Sequence, residues 1–94
     1  MERSFYVIVY DVVDDRRRLK VARHLESLGE RVQKSVFEVY LTPGELEKCL
    51  RRLSRLIKEQ EDSLRVYDLC AACRARVRSL GQGRVTPPPG VIIV

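Results

Sequence analysis

Phe5-Tyr6-Val7-Ile8-Val9-Tyr10 is an unbroken apolar run, rich in aromatic and β-branched residues. A run of that kind is a strand covered on both faces, and therefore a central one in its sheet. It stops at Asp11. Whatever this chain folds into must supply strands on both edges of that run, and it has 94 residues to do so. That length is one domain with a limited core, and chains of this size often gain stability by oligomerising.

The residues after the run supply the neighbours. Asp14 and Asp15 give an N-cap and negative charge for a helix start. Leu19, Ala22, Leu25 and Leu28, with Val21, make one apolar stripe from about Asp15 to Leu28, and Gly29 is its expected stop. Arg31 to Leu41 is extended but too long for one ordinary strand. It reads as two strands meeting near Lys34-Ser35. Thr42-Pro43-Gly44-Glu45 predicts a helix start with a capping box. Leu46, Leu50, Leu53 and Ile57 form its buried stripe. Ser63 to Leu69 alternates with period two, as in a strand with one wet face. The order β-α-β-β-α-β predicts an α+β fold, the ferredoxin-like sandwich with an antiparallel sheet.

The expected domain covers residues 1–80. Cys70 to Leu80 reads as a helical turn followed by a short strand. Residues 81–94 form a tail in which Thr86-Pro87-Pro88-Pro89-Gly90 is a stiff linker. The apolar terminus Val91-Ile92-Ile93-Val94 reads as an extra C-terminal strand that docks on a partner subunit, since a free apolar edge invites aggregation. No apolar run approaches the roughly 20 residues that span a bilayer, and Met1-Glu2-Arg3-Ser4 lacks the apolar core of a signal peptide. A cytoplasmic chain with no membrane partner is the expectation.

Chemistry concentrates at the end of the first strand. Asp11, followed within a turn by Asp14 and Asp15, can hold a hard cation such as Mg²⁺ or another divalent ion, which keeps several waters and needs few protein ligands. The same acids can equally serve as helix caps. One carboxylate is a poor metal site, but a two-fold homodimer brings Asp11 near its own copy. Such a pair would suit phosphodiester hydrolysis.

Charge points the same way. Lys and Arg total 18 against 13 Asp and Glu, a net +5, and most of the cations are arginine. The guanidinium fork matches phosphate oxygens. Arg16, Arg17 and Arg18 open the first helix, where positive charge opposes the macrodipole, so they read as phosphate contacts. Arg51, Arg52 and Arg55 line the second helix, either as a nucleic-acid face or as a solvated face paired with Glu45, Glu47 and Glu59. Cys70-Ala71-Ala72-Cys73 is a single CxxC and reads as small core cysteines. His24 reads as a partly exposed helix residue. Phe5, Tyr6, Phe37 and Tyr40 could stack bases as in an RNA-recognition sheet, but the flanking Gly-aromatic run of that module is missing. The sheet face is therefore expected to pack against another subunit.

Three stretches together resemble the CRISPR-associated Cas-two family of small adaptation proteins. They are Val7-Ile8-Val9-Tyr10-Asp11 with Asp14-Asp15-Arg16-Arg17 and Lys20; Gly29-Glu30-Arg31-Val32-Gln33-Lys34-Ser35-Val36-Phe37-Glu38; and Ser63 to Cys70 with Cys73 and Val77-Arg78-Ser79-Leu80-Gly81. The resemblance runs to about Gly83. It implies a ferredoxin-like homodimer and, in some members, a metal-dependent endonuclease acting on RNA or DNA. It places the metal carboxylate on Asp11, and residues of activity or substrate contact on Tyr10, Arg17, Arg31, Ser35 and Phe37. It also implies a complex with the CRISPR integrase, the first Cas protein, in spacer acquisition. In that complex a non-catalytic DNA-binding scaffold is the alternative to an enzyme.

Overall fold

The computed structural model describes residues 2–81, 83 and 85–87. Its elements are β1 (Ser4–Asp11), α1 (Asp15–Glu26), β2 (Gly29–Gln33), β3 (Val36–Leu41), α2 (Pro43–Leu56), β4 (Ser63–Leu69) and α3 (Ala71–Ala75). The sheet order is β2-β3-β1-β4, with every neighbouring pair antiparallel. This is the expected ferredoxin-like arrangement, and the apolar run lies at its centre as β1.

Alternation along β1 divides its residues between two faces. Tyr6, Ile8, Tyr10 and then Val12 point into the core, where they meet Phe37, Val39 and Leu41 of β3, Val21, Ala22 and Leu25 of α1, and Cys49 and Leu53 of α2. Phe5, Val7, Val9 and Asp11 occupy the alternate positions on the face away from the helices. Leu19, expected in the buried stripe of α1, is 51 % exposed. The stripe is narrower than its spacing suggested, because α1 buries only Val21, Ala22 and Leu25.

Both helix starts form as their sequences dictate. The Asp14 carboxylate accepts from Arg17 N at 2.9 Å. At α2, Glu45 N donates to Thr42 Oγ1 at 3.2 Å while Thr42 N donates to Glu45 Oε1 at 2.8 Å, which is the reciprocal capping box. Thr42→Ala should cost about 1 kcal/mol, read as a lowered urea midpoint with unchanged m-value.

Gly29 does not stop α1. The helix closes at Ser27, whose N–H returns to His24 and Leu25, and Gly29 opens β2. A Cβ on Gly29 would lie 2.4 Å from Glu38 O and from Val39 Cγ1. The glycine therefore lets an edge strand approach β3 closely. Gly29→Ala should destabilise by about 1–3 kcal/mol, the usual cost of overpacking, because one of the two obstructing atoms, Glu38 O, is backbone. Urea denaturation measures it.

The end of the chain departs from expectation in part. α3 is the expected helical turn, but Val77 to Leu80 form no strand and Leu80 is almost wholly exposed. Beyond it, Thr86 is buried against the same chain: Tyr40 Oη donates to Thr86 O at 2.8 Å, and Thr86 N and Oγ1 donate to Glu38 Oε1 at 2.9 and 2.5 Å. Residues 91–94, the expected terminal strand, lie outside the described residues. Among the described residues no helix is long and apolar enough to cross a membrane.

Candidate active site

Asp11 is the last residue of β1, opposite Ser63 of β4, and it is exposed. Among the described residues, no side chain is bonded to its carboxylate. The other acids nearby are committed. Asp14 caps α1, and Asp15 is ion-paired with Arg18. A solvent-facing, unpaired carboxylate on rigid backbone fits a hard, hydrated cation. Among the described residues no cluster of three or more His, Cys, Asp or Glu forms, so each chain offers a cation one carboxylate rather than a cage.

The backbone under Asp11 is held from one side by the β2–β3 turn. Tyr10 N donates to Ser35 O at 3.1 Å, and Tyr10 Oη donates to Lys34 O at 3.3 Å. The Tyr10 ring stacks with Phe37 at 6.2 Å between centroids, and the Arg31 guanidinium lies 5.4 Å over the Phe37 ring. Arg31 also reaches Glu26 at 3.7 Å. The structure thus brings together Tyr10, Ser35, Phe37 and Arg31 around the β2–β3 turn; Arg31, paired with Phe37 and beside Asp15, Arg18 and Leu19, lies on the helix side of the sheet and not on the face of Asp11. Tyr10 and Phe37 are buried in the core and support the strand end from beneath.

A second clamp, which no local pattern in the sequence announces, holds the loop after β1. Asp62 has no exposed side-chain surface. Its carboxylate accepts from Val13 N at 3.1 Å, from Lys58 N at 2.8 Å, and from the Arg17 fork at 3.0 and 3.2 Å. Arg17 also reaches Glu61 at 3.0 Å. Arg17, expected at phosphate, is therefore engaged by two carboxylates and pins the β1–α1 loop. Arg18 is held by Asp15 and by Val12 O, which leaves Arg16 as the exposed member of the trio.

The Arg17 hydrogen bonds hold the Asp62 carboxyl at about 2, below its ordinary 3.8, with help from the backbone N–H groups of Lys58 and Val13 and against desolvation. A lowered carboxyl pKa stabilises the fold above the unfolded value and loses that contribution as pH falls toward the folded one. Stability should accordingly drop from about pH 4 to pH 2. Asp14 and Glu45 are shifted in the same direction by backbone hydrogen bonds from Arg17 and Thr42, so they share the acid limb. Asp62→Asn should shrink that limb without removing it, as urea midpoints at pH 5, 3 and 2 would show.

Arg51, Arg52 and Arg55 are exposed on α2. The helices cover the opposite sheet face from the one Asp11 occupies, so these arginines belong to a different surface. Arg52 sits instead beside His24, in a cleft also lined by Lys20, Arg23 and Leu56. Burial, and then Arg52, hold the His24 imidazole below its ordinary pKa, and its Nε2 has no partner among the described residues.

The base-stacking alternative fails, in line with the missing Gly-aromatic run, because Phe5, Tyr6, Phe37 and Tyr40 are all buried. Tyr6 and Phe37 face the helices, while Phe5 packs on Tyr40 at 5.0 Å with Thr86 bonded to the Tyr40 hydroxyl. The core reading of the CxxC fails as well: Cys70 and Cys73 are exposed, and only Cys49 is buried. On the sheet face away from the helices, Val7, Val9 and Val36 are half-buried and Tyr67 is 47 % exposed. Glu38 and Arg65 pair with Val7 and Val9 on the same face, and Thr86 covers its Glu38–Tyr40 end, so the open part of this face is mixed rather than wholly apolar.

A family model described as CRISPR associated protein Cas2 matches residues 4–77. The CRISPR-associated endoribonuclease Cas2 1 of Chloroflexus aurantiacus is 48 % identical over 86 residues, covering 90 % of this chain and 89 % of that protein. The crystal structure of a hypothetical protein, TT1823, from Thermus thermophilus superposes with a TM-score of 0.80 at 42 % identity, over 90 % of this chain and 99 % of that one. A chain from a partial Cas6-RT-Cas1–Cas2 complex superposes with a TM-score of 0.77 at 30 % identity, over 97 % of this chain and 99 % of that chain.

Proposed function

The chain belongs to the CRISPR-associated Cas2 family, and on that premise we propose that it is a CRISPR adaptation protein whose homodimer binds nucleic acid and cleaves phosphodiesters with Mg²⁺. The observation that carries this reading is Asp11: an exposed carboxylate with no side-chain partner among the described residues, on a strand end braced from both sides. The open, partly apolar part of the sheet face, with Val7, Val9, Val36 and Tyr67, supports a homodimer in which two Asp11 carboxylates meet. Together they would hold the cation, with water filling its remaining positions. When bound, Mg²⁺ polarises the phosphate and lowers the pKa of a coordinated water.

The chain's own residues do the positioning. Tyr10, Phe37 and the turn at Lys34-Ser35 fix the strand end. Arg17 acts through Asp62 to hold the Val12-Val13 loop. Arg16, exposed in the first turn of α1 after Asp11, is the cation nearest in sequence to neutralise phosphate there, while Arg31 and the α2 arginines carry a second basic surface on the helix side. Incubation with internally labelled single-stranded RNA and double-stranded DNA tests the reading. Mg²⁺-dependent cleavage of one of them, abolished by a chelator, is expected. Cleavage indifferent to chelation would overturn it.

A second reading is favoured by the likeness to the chain from the Cas1–Cas2-containing complex. Here the dimer is a DNA-binding scaffold for the integrase, and Asp11 does no chemistry. A preparation that supports integration of a short duplex by the integrase, yet cleaves neither substrate, would establish this second reading over the first.

A further inference from the structure

The exposed cysteine pair outside the candidate site has chemistry of its own. Cys70 follows β4 directly and Cys73 lies within α3, one helical turn on. Both are exposed, and their sulfurs lie 3.5 Å apart. The turn between them is already closed, since Arg74 N donates to Cys70 O at 2.8 Å. A disulfide needs the sulfurs at about 2.0 Å, which side-chain rotation at an exposed turn can supply.

We propose that Cys70 and Cys73 are a reversible dithiol–disulfide couple, a redox-modification site distinct from Asp11. The oxidant class is a small-molecule disulfide. The Cys70 thiolate attacks one of its sulfurs; a protein–sulfur bond forms, the small molecule's S–S bond breaks, and one thiolate leaves and takes up a proton. Cys73 then attacks Cys70 Sγ in the mixed disulfide, loses its proton to water, and expels the second thiolate, which is protonated in turn. Two protein thiols are oxidised to one disulfide, and the small disulfide is reduced to two thiols.

The order of attack has a physical basis. Backbone N–H groups of Cys73 and Ala72, with the Cys73 thiol, hold the Cys70 thiol below its ordinary pKa, while the neighbouring Cys70 sulfur pushes Cys73 up. Burial raises the Cys49 thiol to about 11, so Cys49 serves as an internal control. The couple also sits where the tail is anchored. Arg74, next to Cys73, donates from Nη1 to Tyr40 Oη at 2.8 Å, and Tyr40 Oη donates onward to Thr86 O.

The test equilibrates the full chain in glutathione buffers of increasing oxidised fraction, quenches with acid, alkylates after unfolding, and reads intact and peptide masses. The wild type should lose two alkylation sites together, both in the peptide that holds Cys70 and Cys73, with Cys49 still alkylated. Cys70→Ser should instead accumulate one glutathione adduct on Cys73, and Cys73→Ser one on Cys70. Because both positions are exposed, these variants should fold as the wild type does, which circular dichroism checks. Stable adducts on both wild-type cysteines, a disulfide-linked dimer, or full alkylation at every buffer ratio would each overturn the proposal.

Discussion

Asp11→Ala should abolish metal-dependent cleavage while leaving the fold intact. A bound cation lowers a phosphoryl-transfer barrier by several kcal/mol, and each ~1.4 kcal/mol is a factor of ten. Loss of its protein ligand should therefore lower turnover by roughly 10³-fold. Stability should change by less than about 0.5 kcal/mol, because Asp11 is exposed and bonded to no side chain among the described residues. The same variant run with the integrase separates the two functional readings. Integration retained at full rate with cleavage abolished describes a nuclease separable from the scaffold. Unchanged cleavage would remove Asp11 from the mechanism, and with it the paired-carboxylate site.

The second large effect concerns binding. Arg16, Arg51 and Arg55 are exposed. Where nucleic acid engages both basic surfaces of a homodimer, three such arginines from each copy neutralise about six phosphates, and a protein neutralising that many loses roughly 10³-fold in affinity between about 50 and 200 mM salt. Titrations at several salt concentrations should give a steep linear fall of log affinity with log salt, with little dependence on sequence. Arg51→Ala with Arg55→Ala should flatten the slope by about 0.9 for each phosphate no longer neutralised. A salt-independent affinity would mean that these side chains are only a solvated helix face.

Features set by short-range chemistry were legible in the sequence. The apolar run from Phe5 to Tyr10 could only be a central strand, and β1 lies between β3 and β4. The capping box at Thr42 and Glu45 spans three residues, and the break at Lys34-Ser35 is a turn between two strands. Asp11 was legible as a strand-end acid, and the stretches around it carried the family resemblance. Features that depend on distant partners stayed hidden. Nothing near Asp62 in the chain says that it will meet Arg17, 45 positions away, and that pairing changes Arg17 from a phosphate ligand to a positioning residue. Gly29 looked like a helix stop because glycine after a stripe commonly is one, whereas its missing side chain is needed by β3. Cys70 and Cys73 looked like core because free cysteines usually are. Their exposure follows from α3 lying outside the helix–sheet core, in which no α3 residue is buried. Phe37, carried by the resemblance as a site residue, is fully buried between Tyr10 and Arg31, a placement that depends on strand pairing and not on its neighbours in sequence.

The proposed mechanism stands on two copies of Asp11 meeting across a two-fold axis and sharing a divalent cation. A crystal structure of the homodimer grown with Mg²⁺ or Mn²⁺ measures this through the positions of the two carboxylates. An Asp11 oxygen from each protomer should lie within about 2.1 Å of a cation, with water completing the shell. Two Asp11 carboxylates on separate faces of the dimer, too far apart to be bridged by one ion or by an ion pair about 4 Å apart, would contradict it.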